Sequence, residues 1–180
     1  GRERISLAER TTPARSRAER MWGPPGLRPV SKPDATPATP LLAYRWADTD
    51  RALVDQLALE EEEGEAATLS AGHAAVRFTN PTSGADVLPT IRAEMHRLRA
   101  GAQTLTRREV GSSVFQVFDG SGTVTVGERS WEVARGDLFV VPSWAPFTAQ
   151  AAATANLDLF RFGDAPIFEA LHAQRVKIGN

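Results

Sequence analysis

From residue 74 onward the chain alternates apolar and polar residues in short runs, the period-two pattern of half-buried strands. The runs are AAVRFT (74–79), IRAEMHRL (91–98), QTLTRRE (103–109), VFQVFD (114–119), TVTV (123–126), SWEV (130–133), DLFVV (137–141), PFTAQ (146–150) and LDLFRF (157–162). Turn residues separate them: NPTSG at 80–84, Gly111, GSG at 120–122, and Gly127 with Glu128. Short runs with turn signals roughly every 8–12 residues, and no helical period between them, predict an all-β antiparallel sandwich or barrel of the jelly-roll kind. Two helices flank it. DTDRALVDQLALEEEE (48–63) places Leu53, Val54 and Leu57 on one face, with Asp48 or Thr49 as cap. Its acidic run Glu60 to Glu63 lies at the unfavourable end of the helix dipole, which predicts fraying before Gly64. Asp164 and Pro166 open a second, terminal helix over APIFEALHAQRV (165–176).

The N-terminal portion is different. Residues 1–40 hold seven of the 12 prolines and seven arginines, interleaved with Glu3, Glu9 and Glu19. Each proline removes a donor and fixes φ, so this stretch reads as an extended, solvated arm or interdomain connection. Met21, Trp22 and Leu27 suggest that part of it docks on a folded surface. The expected division is therefore an arm (1–40), a connecting segment with a helix (41–73), the barrel (74–163) and a C-terminal helix (164–180).

With 180 residues and a hydrophobic fraction of 42%, the chain can fill one core. A net charge of −1 argues against a nucleic-acid partner, and no apolar run is long enough for a membrane span. A cytoplasmic location is the expectation. With no cysteine, disulfides and thiolate-held metals are excluded in this chain, and a metal would need carboxylates or the 3 histidines. These are His73, read as a loop residue, His96, mid-strand, and His172, in the terminal helix; their spacing pairs none with another.

The stretches GAQTLTRREVGSSVFQVFDGSG (101–122) and GDLFVVPSWAPF (136–147) resemble the two cupin motifs in the spacing of Gly101, Arg107, Glu109, Ser113 and Gly120, and of Gly136, Pro142 and Phe147. MWGPPGLRPV (21–30), AYRWADTDRAL (43–53), RFTNPTSGADVLPTI (77–91), VVPSWAP (140–146) and FGDAPIFEAL (162–171) narrow the likeness. Together they resemble the C-terminal cupin half of the gentisate 1,2-dioxygenase family. The resemblance implies a cupin double-stranded β-helix. It further implies a two-cupin parent that cleaves the ring of gentisate with Fe(II) and O₂, with relatives acting on salicylate and 1-hydroxy-2-naphthoate. The iron is expected on the N-terminal cupin, so this chain alone would carry no cofactor.

The motif's His, His, Glu and His positions are taken here by Arg107, Glu109, Ser113 and Phe147. Arg is cationic at any accessible pH and Phe has no donor atom, so the set does not ligate iron. No catalytic residue and no metal ligand is assigned. If the motif positions face the barrel interior, Leu105, Arg107, Glu109, Ser113, Phe115, Val117, Phe147 and Ala149 share one face. Arg107, Glu109, Ser113, Phe115 and Phe147 are thus the candidates for a vestigial pocket. Arg107 and Glu109 are placed to pair with each other, closing the old site. Alternatively Arg107 anchors the carboxylate of a small aromatic acid between Phe115 and Phe147. Trp144, where the second motif carries Gly, reads as a packing or interface residue.

Three functions stay open. The chain is the C-terminal cupin portion of a ring-cleaving oxygenase, with a structural and oligomer-building role beside the missing N-terminal cupin. Or it is a standalone metal-free cupin that binds a small aromatic carboxylate. Or it is a non-catalytic assembly subunit. A homo-oligomer is expected. GSGTVTVG (120–127) lacks the Lys-Ser/Thr and following helix of a phosphate loop, and no Ser-His-Asp set is legible.

Overall fold

The computed structural model describes residues 43–64, 68–81 and 83–179. The arm expected over 1–40, with Met21, Trp22 and Leu27, lies outside them. The elements are α1 (Trp46–Glu63), β1 (His73–Phe78), β2 (Arg92–Leu98), β3 (Arg107–Glu109), β4 (Ser113–Val126), β5 (Arg129–Ala134), β6 (Leu138–Val141), β7 (Phe147–Ala151), β8 (Leu157–Gly163), α2 (Ala165–Ala170) and β9 (Val176–Ile178).

All strand pairs are antiparallel and β4 joins the two sheets. Its first half, from Ser113 to Gly120, lies between β6 and β8, and β8 continues through β2 to β1. Its second half, from Ser121 to Val126, lies between β5 and β7, and β7 continues through β3 to β9. The two sheets curl face to face as a jelly-roll barrel. Leu98, Phe115, Val117, Val124, Phe147, Leu157 and Leu159 fill its apolar end. Each fully buried Leu or Phe stabilises the fold by roughly 1.5–3 kcal/mol.

GSG (120–122) is not a turn. It lies within the 14-residue β4, which crosses from one sheet to the other there. The chains approach so closely that side chains are excluded. A Cβ on Gly120 would collide with the Asn156 carbonyl oxygen, and one on Gly122 with that of Gln150. QTLTRRE shrinks to the three-residue β3, with Gln103 held by an isolated bridge to Gln150.

The helix α1 starts two residues earlier than expected, and neither proposed cap works as one. Arg45 occupies the cap position without a side-chain bond, while Thr49 Oγ1 turns back to the Arg45 carbonyl at 3.4 Å. Leu53 and Leu57 bury on Ala74 and Met95, on the outer face of β1 and β2, but Val54 is half exposed. The acidic end holds to Glu63 because partners arrive from elsewhere in the chain. The Gly72 N–H donates to both Glu60 carboxylate oxygens at 2.8 and 3.1 Å. Arg99 donates to the Leu57 carbonyl at 2.6 Å and pairs with Glu61 at 2.8 Å, supplying the cation that the last turn lacks.

The terminal helix is shorter than expected. It stops at Ala170, His172 takes a left-handed φ of 54°, and the chain re-enters the sheet as β9, pairing Val176 with Glu109 and Ile178 with Arg107. The β-branched Val176 and Ile178 suit a strand better than a helix end. Among the described residues, no helix is long and apolar enough to cross a membrane.

Candidate functional site

The end of the barrel opposite the apolar core opens into a cavity of about 340 Å³. Strand alternation sets its lining. Along β2 the inward positions are Arg92, Glu94, His96 and Leu98; along β8 they are Leu159 and Arg161; along β4, Ser113 and Phe115. All five pocket candidates from the sequence, Arg107, Glu109, Ser113, Phe115 and Phe147, line this one cavity. Leu105 lines it too, although half exposed at its mouth.

At the centre is a residue that no motif singles out. The Arg161 side chain is 9% exposed and its guanidinium is almost fully engaged. Nη1 donates to Glu94 Oε2 at 2.7 Å and Nη2 to Glu109 Oε2 at 2.7 Å, while Nε and Nη2 reach Ser113 Oγ at 3.0 and 2.9 Å. It lies over the Phe115 ring, 5.7 Å from its centroid. The register puts Arg161 opposite Glu94 on β2 and Phe115 on β4, so the cluster follows directly from strand pairing.

The network continues in both directions. Arg107 Nε donates to Glu109 Oε2 at 2.9 Å. Glu109 Oε1 is buried and accepts no hydrogen bond among the described residues. On the other side, Glu94 Oε2 and His96 Nε2 are 3.3 Å apart, and His96 Nδ1 meets His73 Nε2 at 3.0 Å. A run of contacts thus links His73, His96, Glu94, Arg161, Glu109 and Arg107 around the cavity.

The histidines differ from the sequence expectation. His73 is no loop residue but the first residue of β1, and it is buried. Pairing of β1 with β2 brings it against His96, although 23 positions separate them. Burial, and then the neighbouring His96 and Arg107, push the His73 imidazole down to about 3, against the opposing pull of Glu94. Glu94 is also shifted down, which for a carboxyl favours the charged form. Burial disfavours its charge, but the hydrogen bond from His96 and the Arg161 guanidinium outweigh that and hold its carboxyl well below the usual carboxylate range. His172 lies in the exposed turn after α2 rather than in a helix. The two paired imidazoles face each other rather than a shared point. Among the described residues, no group of three or more His, Asp or Glu is arranged to hold a metal.

The mouth carries two further features. Arg92, buried on β2, is held by Asp86 at 2.8 Å and Glu169 at 2.7 Å, tying α2 to the rim. Trp144 is 42% exposed and takes a left-handed φ of 64°, the conformation that Gly supplies at this position of the motif. Its N–H donates to the Glu109 carbonyl at 2.7 Å, which fixes the loop over β3.

No protein-family model matches the chain. A gentisate 1,2-dioxygenase of Streptomyces sp is 53% identical over 173 residues, which is 96% of this chain and 47% of the relative. A 5-aminosalicylate 1,2-dioxygenase of Comamonas sp is 30% identical over 149 residues, 82% of this chain and 38% of the relative. Among solved structures, the salicylate 1,2-dioxygenase of Pseudaminobacter salicylatoxidans superposes with a TM-score of 0.82 at 56% identity, covering 94% of this chain and 48% of that one. The same enzyme with gentisate superposes with a TM-score of 0.83, at 55% identity over 96% of this chain and 46% of that one.

A two-sheet jelly roll with the two motifs spaced as here is a cupin. This one belongs to the gentisate 1,2-dioxygenase family, as its C-terminal cupin half. The chain spans about half the length, or less, of the curated relatives it matches.

Proposed function

We propose that this barrel is the non-catalytic half of a ring-cleaving dioxygenase. Its own iron site is replaced by an internal ion-pair network, and its role is to stabilise the fold and build subunit contacts. The observation that carries the reading is the side-chain set at the four motif positions. Arg107 and Phe147 offer no lone pair to iron, and the Ser113 hydroxyl is bound by Arg161. The remaining carboxylate, Glu109, accepts from two guanidiniums, so a cation beside it would meet two fixed positive charges. The residues present do not fit a non-haem iron centre, which takes two or three His with open positions. In this reading Fe(II) and the ring-opening chemistry belong to the N-terminal cupin of the longer protein.

Iron analysis after anaerobic reconstitution with Fe(II) tests this. The 180-residue chain is expected to hold far less than one iron per chain, and to give no ring-cleaved product from gentisate in air. A ratio near one, abolished by Glu109→Gln or by replacing His73 or His96, would refute the reading. A second reading, a barrel that holds a small aromatic acid without transforming it, is favoured by one feature, the partly free guanidinium of Arg107.

A further inference from the structure

We infer that His73 and His96 form a proton relay on the cavity wall: a proton taken up by the pair comes to rest on His96 beside Glu94, while His73 stays neutral and exchanges its tautomer. The inference rests on the metal-free reading above, because an ion on either ring would occupy the lone pair that the relay uses.

The geometry assigns the hydrogens at neutral pH. Glu94 Oε2 accepts from Arg161 Nη1 at 2.7 Å, which makes it an ionised acceptor. His96 Nε2, 3.3 Å from the same oxygen, must therefore carry a hydrogen. In a neutral ring that leaves His96 Nδ1 as a lone pair, so the 3.0 Å contact between the rings is a hydrogen bond donated by His73 Nε2. His73 Nδ1 is then the bare nitrogen, and it bonds no described residue. His73 lines the cavity, which gives a proton its route to the ring.

Uptake runs through the pair in one direction. The incoming proton bonds to His73 Nδ1. The hydrogen on His73 Nε2 passes to His96 Nδ1, so one N–H bond breaks and another forms. His73 is neutral again, with its hydrogen on Nδ1. His96 is an imidazolium that donates from Nε2 to Glu94 and from Nδ1 to His73. The hydrogen bond between the rings has reversed, and the bare nitrogen of His73 has become a donor.

The surroundings favour this end state. The charged groups that share the cavity with the pair are Arg77 on β1, Arg92 and Glu94 on β2, Arg107 and Glu109 on β3, and Arg161 on β8. From α1, on the far side of β1, Glu60 is taken by the Gly72 N–H. Among these groups only Glu94 touches His96. Burial, then His96 and Arg107, oppose a charge on His73 and push it down to about 3, against the pull of Glu94. Two imidazoliums would also set donor against donor across the 3.0 Å contact, so the pair takes a single proton.

Nitrogen-15 NMR of the histidine rings in the full chain tests the relay, since it distinguishes protonated from bare ring nitrogens. His172→Asn, in the exposed turn after α2, removes the third histidine and leaves the signals of the pair. At about pH 8 both rings should carry hydrogen on Nε2 alone. From about pH 8 to pH 5, where an ordinary histidine titrates, one ring should become doubly protonated and the other should move its hydrogen from Nε2 to Nδ1. His96→Gln identifies the rings, and in it His73 should keep one tautomer throughout. A bare Nε2 at about pH 8, an imidazolium on His73 in that range, or a His73 tautomer that ignores His96 would overturn the relay. So would unfolding before the pair takes up a proton. Iron is assayed on the same samples. An iron-loaded chain sinks the metal-free reading, whereas an iron-free chain without the tautomer exchange sinks this inference alone.

Discussion

Arg161 shows what a single buried cation does to a barrel interior. It lies between two carboxylates and a hydroxyl, so removing it leaves Glu94 and Glu109 buried with fewer counter-charges. Breaking a buried pair in this way costs about 3–5 kcal/mol. Arg161→Met is therefore expected to lower the urea midpoint severely, while Arg107→Gln, at the rim, should cost only about 1 kcal/mol. Equal effects of the two in denaturant titrations would show that Arg161 is not the centre of the network. The sequence led to Arg107, Glu109, Ser113, Phe115 and Phe147 because motif spacing marks them. Arg161 belongs to no motif. Its only trace was the inward alternation of Leu157, Leu159 and Arg161 within LDLFRF.

The His73–Glu94 side of the network adds a pH dependence whose direction is fixed. An unfolded His73 takes a proton near 6.5, whereas the folded imidazole stays neutral down to about 3. The unfolded state thus binds the proton first, and stability contributed by His73 falls as pH drops from about 6.5 towards 3. Glu94 acts in the same direction from its ordinary 4.5 downward, because its folded carboxyl resists protonation by virtue of His96 and Arg161. Urea midpoints should therefore decline between pH 7 and pH 4. In His73→Gln the decline above about pH 4.5 should be shallower, because the main group titrating there is gone. A variant curve parallel to the parent's would show that His73 is not held neutral. That His73 meets His96 was not legible in the sequence, since it depends on the β1–β2 register and not on local spacing.

At the scale of elements, the errors of sequence reading have physical causes. Nine strands were expected and nine are present among the described residues, but they are not the same nine. Glycine marks both turns and close approaches, and GSG looked like the first while being the second. β4 needs Gly120 and Gly122 to pass beneath the Asn156 and Gln150 carbonyls as it changes sheets. Gly122→Ala should therefore destabilise far more than Gly127→Ala. An added Cβ at Gly127 meets nothing within 4 Å, and the cost there is the left-handed φ of 65°, about 1 kcal/mol. Comparing the two melting temperatures checks this, and similar losses would mean that β4 tolerates side chains at the crossing. β9 was missed for a different reason. The apolar pattern after Pro166 fits a helix locally, and only pairing with β3, distant in sequence, makes Val176–Ile178 a strand.

For the whole molecule, the apolar faces that the described residues leave exposed carry the prediction. The helix α1 packs on the outer face of β1 and β2 and reaches β4 through Trp46, whose ring lies 4.5 Å from that of Phe118, but the start of β4 and β6 lack such a contact among the described residues. There Val140, 56% exposed, pairs with Val114, which in turn pairs with Phe162, and Leu138 beside them is 66% exposed. The strand β6 pairs with β4 alone, so its outer edge also lacks a neighbour among the described strands. An apolar face that continues to an open strand edge promotes association. In a solution of this chain alone, the partner available is a second copy, and two-fold closure is the simplest arrangement. We therefore expect a dimer or a higher closed oligomer by light scattering behind a sizing column. Val140→Glu combined with Leu138→Lys should shift the mass towards the 19.5 kDa monomer without loss of fold, because neither side chain contributes to the barrel core. A parent chain that is already monomeric at micromolar concentration would remove the self-association role. The apolar face would then be left for the other half of the longer protein to cover.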